Sequence, residues 1–378
     1  MKYPLPSINE TKAAVLKTSL LVVAIFVVSR GVVMGFGYLG YLMTHSTAPL
    51  YHVFCQWDCG WYNSIINHGY ETEPINHRHE SAASWAFFPL HPLTLYYTRE
   101  LLFFLGHNSD LFIVNGFLLC SLLVLYRYYK INHTTRDALF CLLLVAFSPY
   151  SVYFSVPYTE SLALLLALLV FYHASVDQWV YAGLFAALLS ATKVIGVLIV
   201  FPMLVIALRK YSVKSLIRLD QGTEHVVFSL ILAPLGLFLY MFYLYHHVGD
   251  VFAFKNVQVA WSRQIGNPVT VLLEGLSNPF NIKFYFALIT VSGLGLTAYL
   301  VKRRLYPEAI LLGLGILMPL STHLVSIPRY IFGLFPVYIA IEMMTRDQAL
   351  LRYLVFAVFS ASSAFIAVAL TNSVVYVN

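Results

Sequence analysis

The stretch from Trp57 to Pro92 reads WDCGWYNSIINHGYETEPINHRHESAASWAFFPLHP. It follows a long apolar run, and it gathers one early carboxylate, Asp58, several aromatic residues and a set of polar side chains. An enzyme that works at a membrane surface needs such a concentration of chemically active side chains, whereas a lone membrane-spanning helix does not. The stretch therefore predicts catalysis beside a membrane.

The composition of the remaining chain agrees with this prediction. Of 378 residues, 60% are hydrophobic and only 11% are charged, and the mean hydropathy is +0.75. Soluble domains carry about 25% charged residues, so this chain is built for lipid. The net charge of +6 fits basic cytoplasmic loops better than nucleic-acid binding. No cleavage site follows the first apolar run, which we expect to be retained as an anchor.

Apolar runs recur along the chain at the length of membrane spans, about 20 residues each. They predict an all-α polytopic membrane protein with about eleven transmembrane helices in one integral membrane domain, 1–378. The predicted spans are 18–40, 110–126, 137–154, 158–174, 179–193, 194–208, 225–246, 283–301, 306–322, 329–345 and 351–371.

Segment 87–105 is apolar but also holds prolines and charged residues, and the distribution of basic loops decides its place. If it lies in the interface and 1–17 is cytoplasmic, the basic loops between later spans all face the cytoplasm, as the positive-inside rule requires. If segment 87–105 instead crosses the membrane, all of these basic loops lie on the outer side. We therefore predict interfacial helices in a first outer loop, 44–109, and a further outer loop at 248–282.

Asp58 comes soon after the first span and is flanked by aromatic residues. A carboxylate at this boundary is suited to accept a proton from a sugar hydroxyl as a general base. The alternative is that Asp58 caps a helix that starts near Gly60.

Cationic side chains beside later spans are candidate phosphate ligands. Lys193 lies between two apolar runs and Arg329 at the outer end of a span, where an ionisable residue usually has a function. The alternative is snorkelling to lipid head groups. Glu160 either orients a sugar or a cation or is an ordinary acidic residue at a helix start. Trp261 and Arg263 either close over a substrate or anchor the outer loop in the interface.

Histidines and cysteines in the first outer loop raise two further hypotheses. His77 and His79 are close in sequence, but their spacing is not specific for a metal, and we predict that no metal or other cofactor is required. Cys55 and Cys59 can form a disulfide only if the backbone between them bends suitably.

Several motifs resemble the PIG-V family, which comprises GPI mannosyltransferase 2 and its bacterial relatives in the GT-C superfamily of membrane glycosyltransferases. The resemblance covers most of the chain, and its first motif is the most specific. The matching positions are Trp57-Asp58, Trp61-Tyr62, Ile65, His68-Gly69-Tyr70, Ala86-Phe87-Phe88-Pro89, Pro92, Ser148-Pro149, Tyr158-Thr159-Glu160-Ser161, Lys193 to Gly196, and Pro328-Arg329-Tyr330 with Pro336.

This resemblance implies an inverting transferase that takes mannose from a polyprenyl- or dolichyl-phosphate donor on the outer or luminal face. Asp58 stands where such enzymes place a catalytic acid, and Lys193 stands where an arginine is usual. The expected mechanism has Asp58 as base and Arg329, helped by Lys193, at the departing phosphate. The residues expected to bind the sugar or the donor are Trp57, Trp61, Tyr62, His68, Trp85, Tyr158, Glu160, Lys193, Trp261, Arg263, Arg329 and Tyr330.

Other interpretations share the polytopic architecture. A transporter or lipid flippase would show inverted repeats, and none is visible in the sequence. A non-catalytic assembly subunit would use the first outer loop to bind a partner enzyme. Within the enzyme class, a lipid-linked sugar other than mannose fits the same residues. The compact chain favours a bacterial plasma membrane over the endoplasmic reticulum, with a membrane-embedded lipid or glycan as acceptor.

Overall fold

The computed structural model describes residues 12–77 and 80–374, and this part of the chain is almost entirely helical. Its helices are α1 (Lys12–Leu42), α2 (Leu50–Phe54), α3 (Asp58–His68), α4 (Leu90–Leu101), α5 (Asn108–Lys130), α6 (Thr135–Ala146), α7 (Glu160–Ser175), α8 (Trp179–Ser190), α9 (Val200–Lys210), α10 (Val213–Arg218), α11 (Glu224–Leu232), α12 (Leu235–Val248), α13 (Ala253–Asn256), α14 (Pro268–Leu276), α15 (Ile282–Lys302), α16 (Tyr306–Leu320), α17 (Ile327–Phe332), α18 (Pro336–Thr345) and α19 (Ala349–Thr371).

The only sheet among the described residues is a short antiparallel hairpin of β1 (Ile75–His77) and β2 (Glu80–Ala82). It lies in the first outer loop predicted from the sequence. Short 3₁₀ turns at 84–86, 103–105, 151–154, 194–199 and 257–261 complete the secondary structure. The prediction of an all-α protein is therefore confirmed in its essentials.

Each of the eleven predicted spans contains helix. Within the described residues, five helical segments are long and apolar enough to cross a membrane by length and composition: Val15–Leu42, Asn108–Lys130, Glu224–Val248, Ile282–Lys302 and Ala349–Thr371. The other predicted spans contain shorter helices, because turns interrupt them. One example is 194–208, where a 3₁₀ turn precedes α9. This turn begins directly after Lys193, so it determines where that side chain lies.

The core of the bundle forms where α7 packs between α5 and α8 and where α1 runs along α19. Fully buried leucines at Leu118, Leu122 and Leu125 give α5 an apolar stripe at helical spacing. Gly183 of α8 lets α11 come close, since a β-carbon there would lie 2.8 Å from the Cα of Ser229. Close packing of this kind fixes the helix ends that carry the polar residues described below.

Helix α4 is the structured part of the ambiguous segment 87–105. Its 12 residues span about 18 Å, well short of a hydrocarbon core of about 30 Å. His91 and Leu95 are buried against the bundle, whereas Tyr97 and Leu101 on another face are exposed. A short helix with one apolar face left open suits the membrane interface, as the charge distribution predicts.

A group of buried charged side chains holds α6, α18 and α19 together. The fully buried carboxylate of Glu342 accepts hydrogen bonds from Arg352 at 2.6 Å and from Arg346 at 2.7 Å. Arg352 also donates to Asp137 at 2.8 Å. The basic loops that the charge distribution predicts to be cytoplasmic include both arginines, and in the structure each has a carboxylate partner.

Replacing Glu342 by alanine is expected to destabilise the protein strongly. The change removes the fully buried carboxylate between two arginines and leaves them only Asp137 to share. Breaking a buried ion pair costs about 3–5 kcal/mol. Thermal unfolding in detergent should show a melting temperature several degrees lower. The matched control is Asp347→Asn, an exposed acid five positions along the chain. Equal melting temperatures for wild type and Glu342→Ala would show that this cluster does not hold the helices together.

Candidate active site

Asp58 is the first residue of α3, and the N-cap position before it is occupied by Trp57, which makes no side-chain capping hydrogen bond. The helix therefore starts two residues before Gly60, and the capping hypothesis is wrong. The preceding residue, Trp57, has a φ of +51°, which turns the chain sharply into the helix. This bend brings Cys55 and Cys59 together, and they form a disulfide. The backbone between the two cysteines therefore has the bend that this pairing requires.

Four charged side chains, which we call the charged cluster, meet beside the start of α3: Asp58, Glu160, Lys193 and Arg329. Nη1 of Arg329 lies 3.1 Å from Oδ2 of Asp58, and its Nε lies 3.5 Å from Oε1 of Glu160. Nζ of Lys193 lies 3.3 Å from the same Oε1 atom. Two carboxylates and two cations alternate, so the formal charges of the cluster balance. Residues from four distant parts of the sequence thus form one site.

Burial differs sharply within the charged cluster. The side chains of Arg329 and Glu160 are only 5% and 4% exposed, whereas those of Asp58 and Lys193 are 28% and 21% exposed. The central ion pair is therefore fixed in the protein interior. Asp58 and Lys193 remain accessible to a ligand from two sides of that pair.

Three tyrosine rings surround the guanidinium group of Arg329. Its Cζ atom lies 5.3 Å from the ring centroids of Tyr153, Tyr158 and Tyr330, within the range of cation–π attraction. Tyr330 also lies 5.6 Å from Nζ of Lys193. These rings hold the cation in place beside the two carboxylates, with Nη1 donating to Asp58.

Glu160, Lys193 and Arg329 of the charged cluster also line a largely apolar pocket between α7, α16 and α17. This pocket has a volume of about 50 Å³. Its other walls are mostly aliphatic and include Leu164, Ile199 and Leu311. Charged and aliphatic walls in one pocket suit the junction between a polar head and a hydrocarbon chain.

Aromatic rings from two outer loops form a second wall. Trp61 stacks on Phe87 with ring centroids 5.7 Å apart, and Trp261 meets Trp61 edge-on at 5.6 Å. Tyr62 packs against Phe87 at 5.2 Å, and burial raises the pKa of its hydroxyl well above the usual value. Tyr62 thus remains neutral and can donate a hydrogen bond at physiological pH.

Arg263 forms hydrogen bonds with two uncharged side chains, those of His323 and Gln258. Its Nε donates to Nε2 of His323 at 3.0 Å, and Nη1 donates to the side-chain oxygen of Gln258 at 3.2 Å. Burial and the nearby Arg263 lower the pKa of His323 to about 4, so His323 accepts this bond as a neutral ring. The loop 248–282 and the turn before α17 are thereby linked.

Two predicted site residues lie apart from the charged cluster. His68 is exposed at the far end of α3, ten residues and about 15 Å along the helix from Asp58. Trp85 is buried among Phe88, Tyr240 and Phe254, and its indole N–H donates to the backbone carbonyl of Glu71 at 2.7 Å. Trp85 therefore contributes to the packing of the outer loops.

The metal hypothesis is not resolved by the structure. His79 lies outside the described residues, and the side chain of His77 is likewise not described. Among the described residues, no group of three or more His, Cys, Asp or Glu side chains is arranged to hold a metal ion. The prediction that no metal is required therefore stays a prediction.

Sequence reasoning missed several residues that the fold brings to the site. Tyr153 contacts Arg329, and Phe87 joins the two tryptophans, although Phe87 stood within the first motif. His91 is fully buried and packs edge-on against Tyr62 at 4.7 Å. No signal in the sequence separates Tyr153 or His91 from the many other aromatic residues of this chain.

His91 is expected to make stability depend on pH. Burial lowers its pKa to about 4, compared with about 6.5 in an unfolded chain. The unfolded state therefore binds the proton more tightly, and stability present above pH 6.5 is lost as the pH falls towards 4. The drop in melting temperature between pH 7 and pH 5 should be smaller in His91→Gln. The exposed His68→Gln should keep the full wild-type drop, and identical pH profiles for all three proteins would contradict this assignment.

Comparison with known proteins gives a match in structure alone. No protein-family model and no curated protein sequence matches the chain. ArnT from Cupriavidus metallidurans, solved with bound undecaprenyl phosphate, superposes with a TM-score of 0.51 at 14% identity, over 89% of this chain and 63% of ArnT. An Archaeoglobus fulgidus oligosaccharyltransferase, solved with zinc and sulfate, gives a TM-score of 0.49 at 13% identity, over 92% of this chain and 53% of the other.

The chain thus spans less than two thirds of the length of either neighbour. At these identities the likeness shows the fold and leaves the resemblance to the PIG-V family a prediction. The chain has an all-α, polytopic membrane fold that is similar to the fold of ArnT.

Proposed function

We propose that this protein is an inverting glycosyltransferase that moves mannose from a polyprenyl-phosphate donor to a membrane-embedded acceptor. The observation that carries the proposal is the charged cluster beside a largely apolar pocket. Such a site can bind a phosphate at the cations, with the start of the polyprenyl chain against aliphatic walls. ArnT, whose fold is similar, was solved with undecaprenyl phosphate bound.

The donor phosphate is assigned to Lys193 and Arg329. Lys193 is partly exposed and lines the pocket, so its ammonium group can meet an incoming phosphate. Arg329 is held by two carboxylates and three aromatic rings and supplies a fixed positive charge. A preorganised cation stabilises the charge that develops on the departing phosphate without reorganising during the reaction.

Asp58 is assigned the role of general base, because it is the more exposed carboxylate of the cluster and lies beside the aromatic wall. The acceptor hydroxyl loses its proton to Asp58 as its oxygen forms a bond to C1 of the sugar. The bond from C1 to the phosphate oxygen breaks on the opposite face, and polyprenyl phosphate leaves with that electron pair. One displacement of this kind inverts the configuration at C1.

Glu160 and the aromatic residues have supporting roles in this proposal. Glu160 is buried and pairs with both cations, so it is better suited to hold them in position than to accept a proton. Trp61, Phe87 and Trp261 present ring faces and edges near Tyr62, and such surfaces pack well against the apolar faces of sugar rings. The outer face of a plasma membrane is the proposed location.

A donor panel tests the proposal and its closest alternatives. Purified protein in nanodiscs is incubated with polyprenyl-phosphate-[³H]mannose and a membrane lipid extract, with and without EDTA. Parallel reactions use glucose, galactose and aminosugar donors. We expect label from the mannose donor in a new product, unaffected by EDTA. If only another donor transfers label, that sugar replaces mannose in the proposal. If EDTA abolishes transfer, the enzyme requires a metal and the prediction of metal independence is wrong. No product from any donor, with movement of labelled lipid across proteoliposome membranes, would favour a flippase.

A further inference from the structure

The disulfide between Cys55 and Cys59 encloses the segment that ends in Asp58. The two Cα atoms are 5.2 Å apart and four positions apart in sequence, so the bond closes a very short loop. Asp58 immediately precedes Cys59, and its carboxylate leaves this loop to meet Arg329 at 3.1 Å. Any change in the path of the loop therefore moves Asp58 relative to Arg329.

The loop is held in a conformation that needs support. Trp57 has a φ of +51°, a value that bulky residues rarely adopt and that persists only where the surroundings enforce it. The hydroxyl of Tyr158 supplies one constraint, because it accepts a hydrogen bond from the Asp58 amide at 3.1 Å and donates to the Gln56 carbonyl at 2.8 Å. The disulfide supplies a covalent constraint on the same segment.

The far side of the disulfide is anchored as well. The hydroxyl of Tyr51 lies 3.3 Å from Sγ of Cys55 and 3.7 Å from Sγ of Cys59. The same hydroxyl accepts a hydrogen bond from Arg99 at 3.4 Å, and Arg99 pairs with Asp110 at 2.7 Å. The disulfide thus connects the α3 start to an ion pair between α4 and α5.

We propose that the Cys55–Cys59 disulfide is a redox-sensitive brace that positions Asp58 against Arg329, so that the oxidised protein is active and the reduced protein is not. This inference rests on the proposed function. Cys55 and Cys59 are positioning residues, since neither sulfur touches the charged cluster. Cys59 is buried, but Cys55 is only partly covered, so a small dithiol can reach its sulfur.

The chemical change in this proposal is ordinary thiol–disulfide exchange with a dithiol reductant. One thiolate of the reductant attacks Sγ of Cys55, and the bond to Cys59 breaks, with Cys59 leaving as a thiolate that takes up a proton. The second reductant thiol then displaces Cys55. Two electrons pass to the protein, which gains two thiols, and the reductant becomes a disulfide. Reduction removes the covalent constraint on Trp57 and allows the segment to relax away from the cluster.

The test compares initial rates of sugar transfer by the full-length protein in nanodiscs before and after dithiothreitol treatment. Alkylation and mass spectrometry establish that the pair is reduced. We expect kcat to fall at least ten-fold, with the KM for the lipid donor changed less than two-fold, and to recover after reoxidation. An unchanged kcat in protein whose pair is fully reduced would overturn the proposal.

Two variants make the assignment specific. Cys55→Ala/Cys59→Ala should have the low kcat of the reduced protein and no further response to dithiothreitol. Cys120→Ala/Cys141→Ala retains the outer pair alone and should respond as wild type does. If this second variant no longer responds, the effect belongs to the other cysteines and the proposal is wrong. Should the first variant fail to fold, reduction of wild type still decides.

Hydrogen–deuterium exchange separates this proposal from the proposed function. The Asp58 amide is bonded to Tyr158, so exchange in peptides covering 56–62 should accelerate upon reduction, with little change in α19. If the oxidised protein transfers no sugar from any donor, the proposed function fails while faster exchange still supports the brace. Equal exchange rates in the two redox states would overturn the brace whatever the activity.

Discussion

Replacing Asp58 by asparagine is expected to lower kcat by ~10²–10⁴-fold, the usual contribution of a general base. The amide keeps the size of the side chain and can still face Arg329, but it cannot accept the proton of the acceptor hydroxyl. Donor binding should remain, because the phosphate is assigned to Lys193 and Arg329. Initial rates at saturating donor and acceptor measure the loss.

The matched control for this prediction is Glu73→Gln, which neutralises an exposed acid in the same outer loop. This variant should retain the wild-type rate. If Asp58→Asn kept more than a tenth of wild-type kcat, Asp58 would not be the base. A lower kcat in Glu160→Gln would not be evidence for Asp58 as the base. Glu160 pairs with both cations, so its replacement disturbs the whole charged cluster.

Replacing Arg329 by methionine should have the second large effect, on catalysis and on stability together. Removing a preorganised group that stabilises transition-state charge costs ~10²–10³ in kcat. The change also leaves the buried Glu160 and the neighbouring Asp58 without their shared cation, which is expected to cost about 3–5 kcal/mol of stability. Steady-state kinetics and thermal unfolding in the same detergent measure both effects.

Two further variants distinguish the role of Arg329 from the roles of other cations. Lys193→Met should mainly raise the KM for the donor, because Lys193 is more exposed and makes one pairing with Glu160. Lys255→Met removes an exposed cation of the outer loop 248–282 and should change neither the KM for the donor nor kcat. Wild-type stability and a normal kcat in Arg329→Met would show that the cluster is neither the phosphate site nor a structural centre.

The fold was largely predictable because lipid imposes a simple rule on sequence. Apolar runs of span length mark the helices. The interfacial position of segment 87–105 stays a prediction from the basic loops, and α4 is too short to cross a hydrocarbon core. The lengths of individual helices were less predictable. Turns such as the one after Lys193 depend on packing against α8, where Gly196 approaches the Leu189 carbonyl closely, and composition alone does not reveal such contacts.

The candidate site was predictable in its charged residues and not in its aromatic ones. Asp58, Glu160, Lys193 and Arg329 stand out because ionisable groups are rare and costly beside apolar spans, and the structure brings all four together. Trp85 shows the limit of that reasoning. Its motif pointed to the sugar, yet the ring packs among outer-loop residues. Aromatic residues occupy 60 of the 378 positions, so they are too common for position alone to identify those at the site.

The measurement that tests the central claim most directly is a single-turnover comparison of wild type and Asp58→Asn. Each protein in nanodiscs is first loaded with polyprenyl-phosphate-[³H]mannose, and acceptor lipid is then added. We predict that both retain the labelled donor and that only wild type passes the label to a product, with release of one polyprenyl phosphate per sugar. Transfer by Asp58→Asn at the wild-type rate, or no donor retention by wild type, would contradict the assignment of this cluster as the catalytic site.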